Sequence, residues 1–190
     1  MRIVLIGPPG AGKGTQAQRI LERLAVPHLS TGDMLRDACR RGTDAGREAE
    51  PYMTSGRLVP DKLVQQLVID RIALADCQRG YLLDGFPRTA PQAAMLDAML
   101  AERGQSLDLA VKIDVDEDVL LTRLAGRGRQ DDGDKKVIRE RLDQFQRLTR
   151  PLAAYYRDRG ILREVDGHGT PDEVFGRILK ELAAANPAAE

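Results

Sequence analysis

Residues 7–15 read Gly-Pro-Pro-Gly-Ala-Gly-Lys-Gly-Thr and lie between a short apolar run and the start of a helical pattern. Glycines at this spacing let successive backbone N–H groups curl round an anion, and the helix that follows adds positive potential at its N-terminus. Lys13 is placed to reach the terminal oxygens of a polyphosphate held there. The general pattern carries a hydroxyl residue directly after the lysine; here Gly14 holds that position and Thr15 comes one later. Gly10, Ala11, Gly12, Lys13, Gly14 and Thr15 are therefore the expected triphosphate-binding residues. The reaction stays open at this point, because ATPases, GTPases and kinases share such a cradle.

Other charged residues bear on that choice. Asp84 closes an apolar run, and a carboxylate set beside polyphosphate is sensible only with a cation. Asp84, with Asp33 as a weaker companion, is expected to hold Mg²⁺ through bound water, because Mg²⁺ keeps several waters and takes other ligands from phosphates. The plainer reading of Asp84 is a strand-end residue capping the next turn. Arg123 and Arg127 are four apart on a helix end and can point the same way. An isolated arginine is more ordinarily a solvated helix-face charge, and Asp131, Asp132, Asp134, Glu140 and Asp143 offer local partners.

These groups need a scaffold, and the chain alternates short apolar runs with helical patterns, as parallel α/β proteins do. Strands are expected at 2–6, ending near His28–Leu29, at 81–84, at 109–115 and at 161–165. One doubly wound sheet of five strands follows, with its ligands at the strands' carboxyl ends. A helix opens at Gly14, an apolar stripe follows Pro60, and a last helix begins at Thr170-Pro171-Asp172-Glu173 with a capping box. The tail from Ala183 onward is expected to fray. Residues 30–59 supply helix without a strand, and residues 126–134 are polar and glycine-rich; both read as excursions from the sheet.

The chain has 190 residues, enough for one domain that buries roughly 70% of its unfolded surface without staples. Lys+Arg and Asp+Glu are each 29, which argues against a general nucleic-acid or anionic-membrane binder. Cys39 and Cys77 form no CxxC pair and read as free thiols in a reducing compartment. No run approaches a membrane span, so a soluble, cytosolic protein is expected.

The phosphate loop, Asp84-Gly85-Phe86-Pro87-Arg88, Ser30-Thr31-Gly32-Asp33-Met34-Leu35-Arg36, Gly56-Arg57-Leu58-Val59-Pro60 and Arg129-Gln130-Asp131-Asp132 together resemble the nucleoside monophosphate kinases, in that family's order, from residue 1 to about 180. The resemblance implies a P-loop NTPase-type five-stranded parallel sheet with helices on both faces. A core (1–29, 60–125 and 135–190) would carry a small helical monophosphate-binding segment (30–59) and a very short lid (126–134). It implies a monomer with ATP and AMP/ADP as partners. Transfer to a second nucleotide's phosphate needs no general base, because the acceptor oxygen is already anionic; cations and backbone donors do the work.

By the same resemblance Arg36 and Arg88 meet the AMP phosphate. Arg123 and Arg127 reach ATP and the transferring group, and Arg129 and Arg141 touch the phosphates after closure, with Lys13 and Arg88 completing the catalytic set. The last lid-side arginine normally falls eleven residues after Arg129; that position is Glu140, so Arg141 is favoured and Arg139 is the alternative. Arg57, Leu58, Val59, Gly85, Phe86 and Pro87 are implied AMP contacts, and Gly169 lies under the adenine of ATP. Thr31 and Gln92 resemble the adenylate kinase form within the family, Gln92 through its amide on the adenine edge. Thr89-Ala90-Pro91-Gln92 also reads as a capping box. Longer relatives in that family often carry a four-cysteine zinc site in the lid. This chain's lid lacks cysteines, and no zinc is expected. Competing readings are a UMP/CMP kinase, a GTPase (no guanine motif is present) and a nucleic-acid module on the arginine-rich stretch, which also carries five acids.

Overall fold

The computed structural model describes residues 1–126 and 134–185. Five strands, β1 (Arg2–Ile6), β2 (His28–Ser30), β3 (Tyr81–Asp84), β4 (Leu109–Asp114) and β5 (Leu162–Asp166), form one sheet in the order β2-β3-β1-β4-β5. Every pairing is parallel. The central strands carry near-continuous apolar runs (Ile3–Ile6, Tyr81–Leu83, Leu109–Val111) because both faces of a parallel sheet are covered. In β1, Val4 and Ile6 enter one core, while Ile3 and Leu5 enter the other.

The helices divide between those faces. Helices α1 (Lys13–Leu24), α6 (Glu117–Ala125), α7 (Lys135–Gln144) and α9 (Pro171–Ala185) supply Ala17, Ile20, Leu120, Leu124, Ile138, Leu142, Val174 and Ile178 to the Ile3 side. Helices α4 (Asp61–Ile72), α5 (Ala90–Ala101) and α8 (Leu152–Arg157) supply Val64, Val68, Leu96, Leu100 and Tyr156 to the Val4 side. The doubly wound sheet expected from the alternating pattern is present. Past Ser30, the end of β2, residues 31–59 hold helices α2 (Thr31–Arg40) and α3 (Asp44–Thr54) and no strand.

Strand ends differ from the sequence reading by one residue, β4 stopping at Asp114 and β5 shifting to 162–166. The capping box at α9 is formed: Thr170 Oγ1 accepts from Glu173 N–H at 3.3 Å, and Glu173 Oε2 accepts from Thr170 N–H at 2.7 Å. The expected fraying is corrected for residues 183–185, because α9 continues to Ala185; the rest of the tail lies outside the described residues. Leu182 and Ala185 still pack on the core, so the apolar stripe reaches further than its large residues show. A π turn over Phe145–Thr149, which sequence reasoning missed, links α7 to α8.

Candidate active site

The loop after β1 rises at the carboxyl edge of the sheet and runs straight into α1. Gly10 and Gly12 adopt φ of 84° and 89°, a region that suits glycine, and Gly12 is the N-cap of α1. A side chain at Gly12 or Gly14 would meet nothing within 4 Å, so the loop opens on free space at the helix N-terminus. Lys13 Nζ lies back over the loop, donating to Gly7 O at 2.7 Å and Pro8 O at 3.0 Å. The arrangement suits an anion held by backbone donors with an ammonium beside it.

Register places the acid next to that loop. Leu5 of β1 pairs with Asp84 of β3, so Asp84 emerges level with the start of the loop. Burial pushes its carboxyl up, but neighbouring His28, Lys13 and Arg88 outweigh burial and hold it below the ordinary range. His28 Nε2 is 3.7 Å from Asp84 Oδ2, and this buried nitrogen makes no hydrogen bond. Asp84 is thus a buried, ionised carboxylate beside the phosphate loop. A single such group fits a hydrated Mg²⁺ whose remaining ligands are phosphate oxygens and water. Among the described residues no group of three or more His, Cys, Asp and Glu side chains is arranged to hold a metal.

A cleft of about 460 Å³ opens along these strand ends. Gly10 to Thr15, Asp84 and Gly169 line it, as do Asp33, Arg36, Arg88, Arg123 and Arg141, which come from separate elements. Arg88 Nε donates to Gly85 O at 2.7 Å. Its pKa is lowered by burial first and then by Arg141 and Arg36, with Asp84 opposing, so three like charges crowd one place. Such crowding is unfavourable without an anion and favourable with one. Arg36 Nη2 donates to Asp33 Oδ1 at 2.6 Å, and Arg123 Nη2 to Gly167 O at 3.2 Å. Arg139 is exposed and is not part of the lining. Arg127 and Arg129 lie outside the described residues.

A smaller cavity of about 70 Å³ adjoins the cleft and shares Arg36, Gly56, Leu58, Gly85, Arg88 and Arg141 with it. Thr31, Arg57, Val59 and Gln92 add to its wall, beside Leu35, Met53 and Val64. Pro87 lines the larger cleft. Phe86 is placed differently: it is 1% exposed, packs in the core and lines neither cavity. The Phe86–Pro87 peptide is cis. Thr31 Oγ1 donates to Asp84 O at 3.3 Å, which leaves its lone pairs for the cavity.

Gln92 makes half a capping box. Thr89 Oγ1 accepts from Gln92 N–H at 3.3 Å, but the Gln92 side chain turns to Arg88 N–H and Asp61 instead of the cap. Gly56 was legible only as part of a motif. It has φ of 74°, and a Cβ there would stand 2.9 Å from Val137 O, so it lets the 30–59 segment press against α7. Gln16, Gln144, Phe145 and Thr149 also line the cleft and went unread. The last two ride on the π turn, which no local residue pattern marks, while Gln16 is one turn beyond the loop and within reach of a helical-face argument.

Comparison with known proteins agrees with this geometry. The family model described as adenylate kinase matches residues 5–161. The chain is 51% identical over 187 residues to adenylate kinase of Methylorubrum populi, covering 94% of each. It is 50% identical over 182 residues to that of Mycolicibacterium smegmatis, covering 96% of this chain and 99% of the relative. With that of Moorella thermoacetica the identity is 47% over 197 residues, at 88% and 91% coverage. The chain belongs to the adenylate kinase family, enzymes that pass a phosphoryl group between ATP and AMP.

Proposed function

We propose that the larger cleft holds ATP with its phosphates on the 7–15 loop, that the smaller cavity holds the AMP base, and that the γ-phosphoryl crosses between them to give two ADP. The observation that carries this reading is that the two cavities share Arg36, Arg88 and Arg141 at their junction. A phosphate oxygen of AMP attacks the γ-phosphorus while the bond to the β,γ-bridging oxygen breaks, and ADP leaves with that oxygen's electron pair. The attacking oxygen is already anionic, so no side chain needs to remove a proton. Lys13, Arg88, Arg123 and Arg141 hold the phosphates in line and offset the charge of the transition state; guanidinium forks suit this because they bond two oxygens at once. Arg127 and Arg129 belong to the same set in this reading.

Magnesium bound with the triphosphate would supply further positive charge to the β and γ oxygens. Asp84 would hold it through water, with Asp33, already engaged by Arg36, as the lesser partner. Gly169, at φ of 101°, places bare backbone beside the donor nucleotide. The enzyme acts as a monomer in the cytosol; its short lid in this reading is the 126–134 segment, of which 127–133 lie outside the described residues. Among the described residues no helix is long and apolar enough to cross a membrane.

A coupled assay with ATP and each of AMP, CMP, UMP and GMP tests the substrate assignment, and AMP should be turned over best. A preference for CMP or UMP would replace it with a pyrimidine kinase. Arg88→Ala should lower kcat/KM by about a hundredfold or more with the fold intact, the scale of losing one preorganised charge-stabilising donor. Near-normal turnover in that variant would remove Arg88 from the mechanism.

A further inference from the structure

Glutamine alone is an ambiguous reader of a base, because a half-turn of its last torsion exchanges donor and acceptor. One orientation suits a ring acceptor beside an amino group, the edge adenine presents. The other suits a ring N–H beside a carbonyl, the edge of a 6-oxo purine. In this structure the ambiguity of Gln92 is removed. Its Oε1 accepts from Arg88 N–H at 2.7 Å, and its Nε2 donates to Asp61 Oδ1 at 2.6 Å. A backbone N–H only donates and a carboxylate only accepts, so a flipped amide would set donor against donor and acceptor against acceptor. Gln92 is 2% exposed, which limits the water available to replace the lost bonds.

We propose that Asp61 is a positioning residue for base selection. It pins the Gln92 amide so that the remaining N–H and lone pair fit adenine's edge and reject a 6-oxo purine monophosphate. The inference rests on the assignment of the smaller cavity to the AMP base. Asp61 does not line that cavity and acts only through Gln92. It is the first residue of α4, a helix anchored in the core by Val64, Val68 and Ile72, so the carboxylate is carried on a rigid support. A hydrogen bond to an ionised acceptor is also stronger than a neutral one.

The test compares kcat/KM for AMP and for inosine monophosphate, with ATP as donor, in the full chain and in Asp61→Ala, Asp61→Asn and Gln92→Ala. In Asp61→Ala the AMP preference should fall about tenfold, mainly through a raised KM for AMP, while KM for ATP holds. Asp61→Asn keeps an oxygen that accepts from Nε2, so it should retain most of the preference. If Asp61 served only as negative charge at the start of α4, Asp61→Asn would behave like Asp61→Ala, and that result overturns the proposal. A preference lost in Gln92→Ala but kept in Asp61→Ala overturns the pinning and leaves the base assignment standing. A preference kept in both overturns the assignment and the pinning with it. Melting curves of each variant confirm that a change in selectivity is read on folded protein.

Discussion

Arg139 and Arg141 could not be separated by counting from the phosphate motifs, yet two positions on a helix turn a side chain by about 200°. On α7 that rotation decides the matter of place: Arg141 faces the cleft and Arg139 faces solvent. Arg141→Ala should therefore cost about a hundredfold or more in kcat/KM, whereas Arg139→Ala should stay within a few-fold of the starting enzyme. Steady-state kinetics of the two variants check this, and equal losses would show that α7 turns during closure. The same distinction separates Phe86 from its neighbours. A motif identifies a stretch of chain, but past the end of β3 the backbone sends the Phe86 side chain to the core while Gly85 and Pro87 line the site.

At the scale of elements, chemistry gathers where strand ends meet helix starts. The loop between β5 and α9 is tied across to the end of β4 by His168. Its Nδ1 is 2.5 Å from Asp166 Oδ1, and its Nε2 is 3.2 Å from Asp116 Oδ2 and 3.3 Å from Asp116 N. Arg177 of α9 also reaches this loop, donating to His168 O at 2.6 Å and to Asp166 O at 2.9 Å. The hydrogen bond to Asp166 and then the nearby carboxylates raise the His168 pKa above its ordinary value. A raised histidine pKa stabilises the folded state fully below the unfolded pKa of about 6.5, and that contribution disappears as pH rises through the folded value. His168→Asn should thus lower Tm most in mildly acidic buffer, with the deficit shrinking as pH rises above neutral. Melting curves over that range test it; a deficit constant with pH would assign the tie to the neutral ring accepting from Asp116 N–H.

At the scale of the whole molecule, the site depends on a sheet buried on both faces. Leu83, at the centre of β3 and fully buried, immediately precedes Asp84. Leu83→Ala should cost about 2–5 kcal/mol, and thermal or urea unfolding measures it. A much smaller loss would mean that the core closes over the gap. Much of this architecture was legible beforehand. The 7–15 loop, the alternating strands and helices, and the capping box of α9 are local patterns, written in neighbouring residues and obeyed by short-range sterics and hydrogen bonding. Zero net charge belongs to the same class of fact, and it says nothing of the cleft where Arg36, Arg88 and Arg141 crowd together. That convergence was expected from the family resemblance and not from spacing, whereas the pressing of Gly56 on α7 and the contact of Asp61 with Gln92 across 31 positions were decided only by the tertiary structure. Such contacts depend on how helices pack on a common sheet, and sequence spacing carries no information about distances between elements that meet only after the core has closed.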